Sequence, residues 1–171
     1  MWELESEKNI FIVGHRGVRS LYPENTMVSF RAALKLRLDL IEFDVHFTKD
    51  GHIVVCHDAD IERTTNGRGL IRDMTLAELK SYDAGIKLSE EFAGETIPTL
   101  EEVLELMVQA DYQVLLNVEI KDYDHSLVDQ TIAMLKSFDM DRRSVIACFN
   151  AVSYTHLDVY KRQLAGRPIV F

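Results

Sequence analysis

Only two cysteines, Cys56 and Cys148, occur in the 171 residues. That excludes a disulfide framework, and neither cysteine stands in the short paired spacing of a structural zinc site. Long apolar runs are missing as well. No stretch approaches the roughly 20 residues a helix needs to span a bilayer, so no transmembrane segment is expected. Cations are outnumbered, 19 lysines and arginines against 28 acids, for a formal charge of −9. A nucleic-acid partner is therefore not expected, because such a surface must neutralise phosphates. A small phosphate substrate is not excluded, since a metal and one or two cations can reverse the local field. The first nine residues carry Glu3, Glu5, Glu7 and Lys8. They lack the basic start and apolar run of a secretory signal, which points to a cytoplasmic protein. No internal repeat or low-complexity segment occurs. What remains is an ordinary globular composition, 47% hydrophobic and 27% charged, long enough for one domain with its own core.

The pattern along the chain alternates. Ile10–Val13 is a short apolar run ending at Gly14 and reads as a buried strand. Pro23-Glu24-Asn25-Thr26 reads as a helix start, with Met27, Phe30 and Leu34 following at helical spacing. Leu40–Thr48 is a second strand, Asp50-Gly51 a turn, and Ile53–Cys56 a third extended piece. Residues 58–94 are polar, with glycines at 67, 69, 85 and 94, and read as an insertion holding one short helix. Thr75 with Glu78, and Thr99 with Glu102, have the spacing of capping boxes that open helices. Val114–Ile120 is a strand, Leu127–Phe138 a helix and Ser144–Phe149 a strand. Strands alternating with helices imply an α/β fold with parallel pairing, either a doubly wound sheet or a (β/α) barrel.

Candidate chemistry lies on the strands and just past their ends. Side chains alternate along a strand, so Leu40, Glu42, Asp44 and His46 share one face and Ile41, Phe43, Val45 and Phe47 the other. Near residue 117, Val118 and Ile120 point one way and Asn117, Glu119 and Lys121 the other. Parallel sheets are normally covered on both faces, so acids on an inner face need a cation to offset repulsion and desolvation. Glu42, Asp44 and Glu119 read as oxygen ligands for a hard divalent ion, Mg²⁺ or Ca²⁺. Spacing alone also fits an ion-pair network on a solvated face. His15-Arg16-Gly17 and His57-Asp58 each follow an extended run directly, where α/β folds place active sites. Histidine moves protons near neutral pH, an arginine fork suits phosphate oxygens, and glycine admits a close ligand. A zinc site from His46, His52, Cys56 and His57 has no recognised spacing, and His125 and His156 have no constellation around them.

These blocks resemble the glycerophosphodiester phosphodiesterase family. His15-Arg16-Gly17, five residues, then Pro23-Glu24-Asn25-Thr26 is similar to its opening signature. Ile41–Val45, Thr48–Gly51 and Val54–Asp58 are similar to its second block, and Arg63-Thr64-Thr65, Ile97–Leu100 and Glu119-Ile120-Lys121 to later ones. The resemblance implies a metal-dependent phosphoric diester hydrolase acting on a small glycerophosphodiester, on a (β/α)₈ barrel whose insertion follows the second strand. It implies metal ligands at Glu42, Asp44 and Glu119, acid and base roles for His15 and His57, and phosphate contacts from Arg16 and Lys121. Which histidine is acid and which base stays open. A related barrel phospholipase acting on lysophospholipids, a non-catalytic binding module and an inactive fragment are the other readings. Arg37-Leu38 departs from the family, which usually has a glycine there. The resemblance runs to about Asn150; Val152–Gln163 reads as foreign to the family. A (β/α)₈ barrel takes about 250 residues, so residues 1–171 are expected to hold a single partial domain, the N-terminal portion of the barrel.

Overall fold

The structure, a computed structural model, describes residues 10–122 and 124–148. It runs β1 (Val13–His15), α1 (Met27–Lys35), β2 (Leu40–Phe47), β3 (Ile53–Val55), α2 (Leu76–Leu79), α3 (Leu100–Val108), β4 (Leu115–Ile120), α4 (His125–Ser137) and β5 (Ser144–Cys148). β1, β2, β4 and β5 lie side by side in that order and all pair in parallel. Parallel neighbours need crossover connections, which the helices between them supply. This is part of an α/β fold of the (β/α)-barrel type.

One face of the sheet meets the helices. Ile41, Phe43 and Val45 of β2 and Leu116 and Val118 of β4 are fully buried there. They pack with Phe30 of α1, Val103, Leu104 and Met107 of α3, and Leu127 and Val128 of α4. Phe30 meets Phe43 edge-on at 5.7 Å between centroids. The helix starts follow the local signals. Thr75 and Thr99 each form a complete capping box, with Glu78 and Glu102 reaching back to the cap. The Asp124 carboxylate accepts the Ser126 N–H at 2.8 Å and so opens α4.

β3 breaks the parallel pattern by folding back antiparallel on β2 through the turn at residues 48–52. Val45 pairs with Ile120 of β4 on one side and Val55 of β3 on the other. β3 therefore occupies the same edge of β2 that β1 uses lower down. Its alternation separates two cores. Ile53 and Val55 join the main core, whereas Val54 and Cys56 join a smaller one with Ile61, Ile71, Leu79, Ala84 and Ile97. That smaller core is what gives the otherwise polar insertion a fixed shape. The insertion contains α2 and two 3₁₀ turns, Ile71–Asp73 and Glu90–Phe92. The Asp83 carboxylate accepts backbone N–H groups of Gly85, Ile86 and Gly94 at 2.6–2.8 Å and staples its far loop.

The first strand differs from the expectation. Pairing begins only at Val13, and Ile10 and Ile12 are 77% and 60% exposed. Among the described residues β1 is paired on one side only, so its apolar approach has no neighbour to bury it. No helix among the described residues is long and apolar enough to cross a membrane. Phe149, His156 and the foreign-looking 152–163 lie outside the described residues.

Candidate active site

β1 and β3 approach the middle of β2 from opposite directions. β1 stops at His15, opposite Glu42, and the next N–H, of Arg16, donates to the Glu42 carbonyl at 2.9 Å. β3 ends beside Asp44, whose carbonyl accepts the Cys56 N–H at 3.0 Å. The segments carrying His15-Arg16 and His57-Asp58 therefore begin next to the two acids of β2. The sequence places both histidines just past strand ends; His57 lies there, whereas His15 is the last residue of β1 and pairs with Glu42. His57 gets there because its strand is antiparallel, not because it shares the direction of β1. From the other side of β2, β4 sets Asn117 in register with Glu42 and Glu119 with Asp44.

Glu42, Asp44 and Glu119 come together as expected, one carboxylate oxygen of each lying within 4.8 Å of the others. Asp44 is fully buried and Glu42 nearly so. Burial first, and the charge of Asp44 second, push Glu42 up to about 7. Cations partly offset the crowding. Lys121 Nζ lies 3.1 Å from Asp44 Oδ1, off the hydrogen-bonding direction, and also pairs with Glu119. Arg16 Nε lies 3.6 Å from Asp44 Oδ2. Three buried oxygens, of Asp44 Oδ1, Asn25 Oδ1 and Asn117 Oδ1, accept no hydrogen bond among the described residues. Buried acceptors are seldom left so, and an all-oxygen set suits a hard divalent cation. Cys56 is buried in the smaller apolar core and is not part of this cluster.

The two histidines stand in different surroundings. His15 Nε2 is 3.7 Å from Glu42 Oε2, and the ring is half exposed. Partial burial, then the charges of Arg19 and Arg16, lower its pKa below the ordinary histidine value. His57 is held through Nδ1, 2.6 Å from Asp58 Oδ1. Arg63 Nε donates to the other oxygen of Asp58 at 2.6 Å. Gly17, at φ 80°, makes its close approach to Ser29 of α1, where a Cβ would stand 2.3 Å from Oγ. That hydroxyl in turn accepts the Val18 N–H at 2.8 Å.

Several functional-site residues had no role read from the sequence. The Glu24 carboxylate accepts from Arg16 at 2.9 Å and from both terminal nitrogens of Arg63 at 2.7 and 2.9 Å. A continuous chain of pairs thus runs from Asp44 through Arg16, Glu24, Arg63 and Asp58 to His57. Asn25 Nδ2 donates to Asp44 Oδ2 at 2.9 Å. Arg16 and Asn25 both take φ 55°, a left-handed conformation that non-glycine residues adopt at a cost. The available signal was their presence in the Pro23–Thr26 and Arg63–Thr65 blocks. His46 has a place that its spacing in the sequence does not show. It is buried, with Nδ1 2.8 Å from Asp122 Oδ1 and Nε2 3.3 Å from the His57 carbonyl, so it ties the His57 segment to the end of β4. His52 sits exposed on the turn beside Asp50.

Residues 15–167 match the model of the glycerophosphoryl diester phosphodiesterase family. That span continues past Asn150, where the block-by-block resemblance stops. A glycerophosphodiester phosphodiesterase of Caldanaerobacter subterraneus is 45% identical over 153 residues, 88% of this chain and 61% of that protein. The crystal structure of a glycerophosphodiester phosphodiesterase from Agrobacterium tumefaciens is similar at TM-score 0.80 and 31% identity, over 90% of this chain and 64% of that one. An Oleispira antarctica phosphodiesterase, solved with the product sn-glycerol-3-phosphate, is similar at TM-score 0.75 and 34% identity, over 88% of this chain and 62% of that one. The chain spans between about two fifths and three fifths of the length of the curated relatives it matches.

Proposed function

The chain belongs to the glycerophosphoryl diester phosphodiesterase family, and from that we propose that the full-length protein hydrolyses glycerophosphodiesters to glycerol 3-phosphate and an alcohol. The observation that carries this reading is the meeting of three carboxylates, two cations and His15 around the middle of β2, with the His57 segment starting beside Asp44. The product held by the Oleispira antarctica relative supports the glycerol 3-phosphate half of the reaction.

Glu42, Asp44 and Glu119 would hold a divalent cation, Mg²⁺ or Ca²⁺, which when bound supplies positive charge to the phosphoryl oxygens. Arg16 and Lys121, beside the cluster, hold the phosphate through charge-assisted hydrogen bonds. The bond to Glu24 orients the Arg16 guanidinium before substrate arrives. His15, whose pKa is lowered, takes a proton from the attacking water. His57, with Nδ1 held by Asp58, gives a proton from Nε2 to the departing alkoxide. The new P–O bond comes from water, the P–O bond to the alcohol breaks, and one proton has moved from water to alcohol by way of the two rings.

Single alanine variants of His15 and His57 should each lower kcat by about 10²–10⁴-fold, measured as glycerol 3-phosphate released from glycerophosphocholine. A chelator should remove the wild-type activity, and Mg²⁺ or Ca²⁺ should restore it. Full activity in both histidine variants would overturn the reading. A cytoplasmic setting goes with the proposal and is checked by fractionating the producing cells.

A further inference from the structure

Between the loop after β1 and the insertion lies a cavity of about 170 Å³ that the mechanism above does not use. Its lining includes Arg19, Tyr22, Glu24, Arg63, Lys87 and Leu88. Tyr22 packs against Phe92 at 5.6 Å between centroids, which holds the two walls together.

The charges in this lining do not cancel. Glu24 is its one carboxylate, and both of its oxygens already accept from arginines, Arg16 on one and Arg63 on both. Arg63 is further neutralised by Asp58. Lys87 Nζ meets the uncharged carbonyl of Glu62. Arg19 is exposed and has no carboxylate partner among the described residues. Two cations therefore face the cavity without a matching acid. Glu24 links the cavity to the acid cluster, because it forms part of the wall and bonds Arg16, which lies 3.6 Å from Asp44.

A glycerophosphodiester carries two arms on its phosphorus. The glycerol arm is neutral, so only the other alcohol can bring a further charge. Uncompensated cations in a partly enclosed site attract an anion and repel a cation. Resting on the phosphodiesterase reading, we propose that this cavity seats the leaving alcohol and selects one that bears an anionic group. Arg19 and Lys87 are the specificity-determining residues.

Glycerophosphoserine and glycerophosphoethanolamine test this directly, because they differ by one carboxylate. Titration calorimetry on the full-length protein should show the serine compound bound roughly tenfold more tightly, with the preference shrinking as salt is raised. Arg19→Glu and Lys87→Glu, both at exposed positions, should each bring the ratio of the two Kd values toward one. Equal Kd values in the wild type, or a preference that survives both charge reversals, would overturn the proposal. Turnover separates it from the broader reading. Selective binding without hydrolysis of either compound supports the cavity assignment and removes the phosphodiesterase. Hydrolysis of both with equal Kd removes the cavity assignment alone.

Discussion

Without a cation, Glu42 sits close to its own midpoint at neutral pH, because burial and Asp44 push it up to about 7 from an ordinary 4.5. A group raised in the folded state contributes stability that is fully present below its unfolded value and is lost as pH rises through the folded one. The chelated protein should therefore lose stability from this residue between about pH 5 and pH 8, on the order of 2 kcal/mol. Glu42→Gln should flatten that limb, and bound Mg²⁺ or Ca²⁺ should suppress it by favouring the carboxylate. Urea denaturation across this pH range, with and without chelator, checks the effect. A Gln variant with an unchanged slope would assign the strain elsewhere. At this scale the three acids were legible, because strand alternation alone sorts Glu42, Asp44 and Glu119 from their apolar neighbours. Glu24, Asn25 and Arg63 were not, since their partners lie far along the chain: Asp44 is 19 positions from Asn25, and Arg63 is 39 from Glu24.

Helix starts were the most legible elements. Thr75 and Thr99 cap through residues three positions on, and such contacts need no tertiary partner. Arg37 shows where an element departs from its family. The structure holds it at φ 52°, which is the physical reason a glycine suits that position. The arginine is retained by other contacts. Its Nη1 donates to both oxygens of Asp111 at 2.9 and 3.0 Å, and its guanidinium lies 4.7 Å above the Tyr112 ring. Arg37→Ala keeps the strained backbone and loses those contacts, whereas Arg37→Gly loses the contacts and relieves the strain. The glycine variant should therefore be more stable than the alanine variant by about 1 kcal/mol, read from paired urea melts. Equal stabilities would mean that the left-handed backbone costs nothing here. β1 was misplaced by the same kind of local reading, since an apolar run marks a strand and says nothing of which of its residues find a partner.

At the scale of the whole molecule, β1 and β5 are each paired on one side among the described residues, and Ile10, Ile12 and Val13 are exposed beside β1. Unpaired strand edges flanked by apolar side chains template association. A fragment of residues 10–148 should self-associate on sedimentation, and Ile12→Lys should reduce that association. A monodisperse monomer at the same concentration would contradict it. The alternating α/β order, the helix starts and the acidic faces of β2 and β4 were determined by the sequence by itself, because each rests on a local period or a contact within a few residues. Tertiary structure alone decided that β3 turns back along the edge of β2 that β1 leaves free, so that the His15 and His57 segments begin beside Glu42 and Asp44. It also decided the chain of pairs from Asp44 to His57, the raised pKa of Glu42 and the cation-lined cavity. Each of these depends on desolvation and on contacts between distant positions, which no local pattern of residues encodes.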